Sequence, residues 1–362
     1  MTTTSHSTVI FDDSALPELQ QQKAQAPWGR RTSKFRTVVI LAVFIPAAIV
    51  TLLLWFSSIP QAIIMVAIYL PLQLIASALA ATSVRGVRAA GDAVIIVCAI
   101  GATIFSLVVV VSLLWSIISK GLQALSAQFI YQNNQYISAS TPLEYGGIGH
   151  AILGTVLIVF ISVLIAVPLG IMTAVYITEV RGKAVPYVRF FVQAMSGVPS
   201  VVAGLFILTV FILNGVLSSS AFAGGLAYAI LMLPTVARTA EEVLKLVPDD
   251  LRTGALALGS TRARVVLRVV IPAAKTGIIT AGILGVARVV GETAPLLLTA
   301  SINDRTVLNP FTEPIAALPT YIFGNVASPY PDAVLRAWGA ALTLMIIVAI
   351  LFTLTRLFSA KR

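Results

Sequence analysis

The sequence predicts an all-α membrane protein, a polytopic helical bundle of about eight transmembrane helices. Three observations carry that prediction. Hydrophobic residues make up 58% of the 362 and charged residues only 10%, whereas soluble domains carry about 25% charged residues. Uncharged runs at or above the ~20 residues that cross a bilayer recur along the chain. Finally, once those runs are treated as spans, Lys and Arg gather on one side of the membrane.

Residues 1–37 are rich in Thr, Ser and Gln and turn basic at Arg30, Arg31, Lys34 and Arg36, which reads as a disordered cytosolic tail. The apolar run behind them starts far from residue 1 and lacks a small-residue cleavage site, so a retained helix is expected and not a signal peptide. Residues 38–84 carry no charge, enough for an extra hairpin of two spans broken near Ser57, Ser58 and Pro60. A third span fits between Asp92 and Lys120, and a fourth starts near Ala151 and continues to Thr178. Two more fit between Arg189 and Arg238, separated by a turn at 218–220. The seventh is expected as one helix from about 274 to 300, and the eighth lies between Arg336 and Arg356. Pro46, Pro71, Pro168, Pro199 and Pro234 fall within or at the ends of spans, where they act as kinks or as a gate.

Eight spans return both termini to one side. With the termini inside, 20 of the 24 Lys and Arg lie in cytosolic segments, three lie outside (Lys120, Arg305 and Arg336), and Arg288 is left within a span. The reverse orientation inverts that ratio, against the positive-inside rule. Segments 119–150 and 301–333 then face out, and 239–272 is the largest inside segment.

The same asymmetry accounts for the net charge of +10 without nucleic acid. Cys98 is the single cysteine and lies in an apolar run, so no disulfide framework or thiolate metal cluster is expected. His6 and His150 are the only histidines, and neither sits in a zinc-binding cluster. Neither a metal, a cofactor nor a catalytic residue is expected.

Segment 239–272 has the clearest local design. Pro248, Asp249 and Asp250 supply a helix start, since proline suits the first turn and carboxylates favour the positive end of the dipole. Leu251, Ala255 and Leu258 fall on one face, Gly259 is a left-handed stop, and Ser260 or Thr261 can cap a second helix. That second helix bears Arg262, Arg264 and Arg268, either a solvated basic face beside anionic lipid or a partner contact.

The run RTGALALGSTRARVVLRVVIP at 252–272 resembles the signature loop of ABC-importer permeases: two alanines after a glutamate, then a spaced glycine, two aliphatic residues and a proline. Ala255 stands at the second alanine, Gly259 at the glycine, Val269 and Ile271 at the aliphatic positions and Pro272 at the proline. Thr253 replaces the usual glutamate and Gly254 the first alanine. The resemblance implies that this loop docks on a cytosolic ATPase, with Arg252, Ala255, Leu258, Gly259, Arg262 and Pro272 as its coupling residues. No Gly-x-x-x-x-Gly-Lys-Ser/Thr loop occurs, so the ATPase must be another chain.

GIITAGILGVARVVGETAPLLLTA at 277–300 is similar to the phosphate-specific members of that family, as are GGIGHAILGT at 146–155, GVPSVVAGLF at 197–206 and PIAALPTYIF at 314–323. The resemblance covers about 91–362 and implies a six-helix permease core in a bacterial plasma membrane. It further implies a sister permease, two ATPase copies, an extracytoplasmic phosphate-binding protein and inorganic phosphate as substrate, with Arg288, Glu292 and Thr293 on the pathway. Independently of family, Arg288 and Glu292 stand i, i+4 on the expected seventh helix and can face each other. An ionisable residue at bilayer depth marks a function by default, and a guanidinium fork suits phosphate oxygens. The other reading is a buried ion pair that orients helices. An importer for another oxyanion or solute, an intramembrane enzyme and an ion channel remain the rival functions.

Overall fold

The computed structural model describes residues 33–57, 60–61, 64–180 and 182–360. The expected tail therefore lies outside the described residues up to residue 32, as does Ser58 of the expected first break. No strand occurs among the described residues. Six helices are long and apolar enough to cross a membrane, and the number reaches eight if each of two bent helix pairs is one span. Two compact units divide between Val111 and Ser112, inside one continuous helix.

In the first unit, α1 (Ser33–Phe56) and α2 (Leu70–Arg85) pack as a hairpin, with a π-turn at Ile64–Tyr69 before α2. Buried Gln73 on α2 donates to the carbonyl of Ala42 on α1 at 3.2 Å. An amide that bonds across two helices is a stable choice where water is scarce. α3 (Arg88–Ala124) runs 37 residues and starts ahead of Asp92.

In the second unit, short α4 (Ala127–Tyr131) precedes α5 (Gly149–Val175), which widens into a π-turn at Tyr176–Val180. α5 lies along α8 (Ala221–Lys245), and their seam is made of small residues. A Cβ on Gly225 would come within 2.6 Å of Ile161, and one on Gly170 within 2.8 Å of Val236. Without a hydrophobic drive between helices in lipid, such close approach is what generates packing energy. Ile158, Ala166, Tyr228, Met232 and Val236 form the buried core of this pair.

Between them, α6 (Val185–Ser196) and α7 (Ser200–Ile207) are bent by 102°. The fifth expected span is thus broken, because Pro199 lacks an N–H and pushes Val198 out of the helical region. The expected seventh helix over 274–300 is also corrected. Residues 262–273 meet α11 (Lys275–Val289) at 73°, α11 stops at Val289, and a separate short α12 (Ala294–Thr299) follows. Pro295 in the first turn of α12 cannot continue an earlier helix. α13 (Leu318–Val326) then packs on α14 (Pro331–Ala360), which begins five residues before Arg336, the expected start of the eighth span.

Candidate functional site

The segment after α8 forms an elbow. Pro248 precedes α9 (Asp249–Ala257), with Asp249 and Asp250 in its first turn. Gly259 adopts φ +81°. Its N–H donates to Leu256 O at 2.9 Å, and that of Ser260 to Ala255 O at 3.3 Å, a Schellman closure that only a left-handed residue completes. Thr261 occupies the N-cap of α10 (Arg262–Val265) in extended conformation, without a side-chain cap bond. Leu251, Ala255 and Leu258 do not share a buried face: Leu258 is 88% exposed and Leu251 46%, while Ala255 packs against the cluster around Ala240, Leu244 and Val265. The exposed outer surface of the elbow includes Arg262, Arg264, Arg268 and Pro272.

Arg252 points the other way, into the protein. Its Nη2 lies 2.9 Å from Glu179 Oε1 and its Nε 3.2 and 3.3 Å from the two carboxylate oxygens. Nη2 also donates to Leu244 O at 2.9 Å, and Nη1 to Val247 O and to Asp249 Oδ1. The hydrogen bonds that Arg252 donates to Glu179 raise its guanidinium pKa above the ordinary value. Beside it, Glu241 accepts from Arg189 of α6 at 2.9 Å and from Lys245 at 2.6 Å.

Arg288 sits in the last turn of α11, where its charge suits the negative end of the helix. Its side chain is exposed; Glu292 and Thr293 are half-buried in the break between α11 and α12. Because the helix ends before Glu292, the i, i+4 relation lapses, and among the described residues no ion pair joins Arg288 to Glu292. The break is held from α8, whose buried Tyr228 donates its hydroxyl to Glu292 O. A Cβ on Gly291 would meet nothing within 4 Å, so the chain is open there. An exposed guanidinium at an interrupted helix can take an anion, with several of its donors still available.

At the opposite end, two side chains organise the loops: Arg336, expected only as an outward-facing cation, and Asn134. Arg336, 2% exposed, donates through Nη2 to the carbonyls of Thr141, Pro142 and Tyr145 at 2.9, 2.8 and 3.0 Å. Asn134 donates to Tyr321 Oη at 2.8 Å, accepts from Gly147 N at 3.1 Å, and through its own N–H bonds Asp304 O at 3.0 Å. Buried His150 packs edge-on against Tyr321. The sequence expectations name neither Asn134 nor Glu179, although a lone carboxylate at the end of a span, beside Arg181 and Lys183, is a signal present in the sequence.

Residues 166–362 match the family of binding-protein-dependent transport system inner membrane components. The chain is 40% identical over 248 residues to phosphate transport system permease protein PstA 1 of Mycobacterium tuberculosis, covering 68% of this chain and 81% of that one. It is 37% identical to the phosphate transport system permease protein PstA of Haemophilus influenzae, over 68% of this chain and 86% of its relative.

Proposed function

This chain belongs to the family of binding-protein-dependent transport system inner membrane components, and from that premise we propose that it is the membrane-spanning permease subunit of an ATP-driven phosphate importer. The observation that carries the substrate is the 40% identity to a phosphate permease across four fifths of that relative. The chain itself performs no covalent chemistry; a separate ATPase hydrolyses ATP at the elbow end, with both termini in the cytosol. Two ATPase copies, a sister permease and an extracytoplasmic phosphate-binding protein complete the assembly. Residues 91–362 make the permease core and 38–84 an added hairpin. The elbow surface with Leu258, Gly259, Arg262 and Pro272 faces the ATPase. Supporting this, Leu258 is 88% exposed at the turn between the elbow's two helices.

Arg288, Glu292 and Thr293 line the pathway in this reading. Arg288 is exposed on this chain, so the path needs a second wall, which the sister permease provides. The broken α11–α12 stretch places its guanidinium at a helix interruption, the arrangement in which transporters hold small ions. The test is phosphate uptake by cells with and without the chain, challenged with sulfate and molybdate. Uptake is expected to depend on the chain and to resist both competitors, and competition by either would reassign the substrate. With assembled complex held equal, Arg288→Gln should lower import roughly 10- to 100-fold, the worth of one or two charge-assisted hydrogen bonds. Arg288→Lys should restore little of it, because a point charge lacks the fork. Adding Glu292→Gln should restore none; recovered import in the double variant would return Arg288 to a structural role.

A further inference from the structure

The elbow's first helix is joined to the rest of the protein in a lopsided way. Of α9's side chains, Ala255 packs against the apolar cluster formed by α5, α8, α10 and α11. Leu251, Leu256 and Leu258 are 46, 42 and 88% exposed. Thr253 bonds back to Asp249 O and Asp250 O of its own helix. What fastens α9 inward is Arg252. Among the described residues, its hydrogen bonds reach the π-turn at the end of α5 through Glu179, the end of α8 through Leu244, and the turn after α8 through Val247.

We propose that Arg252 and Glu179 are the link that carries movement of the elbow into α5 and α8, a positioning pair for transport and not a contact to the ATPase. The inference rests on the reading of the elbow as the element an ATPase moves. Three features fit a transmission role better than a docking one. Both side chains are largely enclosed, at 14 and 10% exposure, so neither presents itself to an outside partner. All five guanidinium N–H groups face acceptors, on Glu179 of the π-turn, Leu244 of α8, Val247 in the turn after it and Asp249 of α9 itself, which gives Arg252 a single orientation in which a displacement of α9 must displace the π-turn and the end of α8 or break several bonds at once. A cleft lined by Glu179, Asp249, Arg252, Thr253, Leu256 and Arg262 lies beside the link, so α9 has room to move. The π-turn that holds Glu179 is a geometry found at working positions in helices, and α5 and α8 are the pair packed along their whole seam, so motion given to one is given to both.

The test uses the full assembly in liposomes: this chain with its second permease, the ATPase and the binding protein. Phosphate imported and ATP hydrolysed are measured together. Complexes with Arg252→Gln should retain the ATPase while phosphate imported per ATP falls about tenfold, within the range of site-to-site coupling energies. Glu179→Gln keeps the shape and one acceptor, so its ratio should fall less, and Arg252→Lys should lie between. If Arg252→Gln does not accumulate, Glu179→Gln decides. An unchanged ratio in assembled variants overturns the link, and so does loss of the ATPase from Glu179→Gln complexes, which would make the pair part of the docking surface. An unmutated chain that fails to retain the ATPase overturns the elbow reading itself, a result visible before any substitution.

Discussion

The two ends of the 112–362 unit are held together by different chemistry. At the elbow end, two nearly enclosed carboxylates, Glu179 and Glu241, each take a cation from another helix: Arg252 of α9 and Arg189 of α6. At the loop end, the ties run to backbone. Arg336 spends its donors on three carbonyls, Asn134 clasps Gly147, and Gly154 of α5 stands so close to Ala316 that a Cβ would collide with its carbonyl oxygen. Bonds to backbone specify one loop conformation. Ties between side chains can be remade with a new partner or a new angle, because long side chains relocate at little cost when partly solvated; Arg189 and Lys245 are 50 and 56% exposed. The loop end is thus tied mainly through backbone carbonyls, and the elbow end combines ion pairs with the two carbonyls that Arg252 takes from Leu244 and Val247.

The largest effect expected from this contrast is at Gly154. Gly154→Val forces α5 away from the loop at Ala316, at a cost of about 3 kcal/mol or more, and folded protein should not accumulate in membranes; normal accumulation would show that the loop end yields. Next comes Arg336→Met, which leaves three carbonyls without their donor and should cost about 2–3 kcal/mol, read as a lowered unfolding midpoint of the purified complex. Arg336→Lys should recover part of it.

At the elbow end the effects should be smaller in stability and larger in partnership. Gly259→Val strains a residue at φ +81° by about 1–2 kcal/mol, so ATPase association should weaken while membrane insertion is unchanged. Normal assembly and transport in that variant would remove the docking role of the turn. Smallest is Lys245→Met, under about 1 kcal/mol, since Arg189 still serves Glu241 and an exposed lysine contributes little. A midpoint drop as large as that of Arg336→Met would erase the distinction between the ends.

Part of this was legible in the residues alone. The charge gaps located every long span, and Pro248, Asp249, Asp250 and Gly259 marked the elbow's first helix to within a residue, because helix starts and left-handed stops are local chemistry. Two spans are broken: the fifth at Pro199, where a kink is expected, and the seventh ahead of Pro295, where one continuous helix is expected. In each a proline, Pro199 or Pro295, breaks the helix, whereas Pro46, Pro168 and Pro234 are accommodated inside theirs. The residue type is the same, and the outcome depends on whether neighbours hold the broken backbone, as Tyr228 does at Glu292.

By itself, the sequence determined that this chain is an all-helical membrane protein, roughly where it crosses, and to which family it belongs, since hydropathy, charge bias and short motifs are properties of contiguous residues. Only the tertiary structure decided which charges meet. Arg288 and Glu292, four apart, do not pair because the helix between them ends; Arg252 and Glu179, 73 apart, do, because α5 and α8 lie side by side and bring their ends together. Arg336, one of three expected outward cations, became a buried clasp for the same reason. An ion pair forms where two backbones place its members within reach, and that distance is a property of packing, not of spacing along the chain.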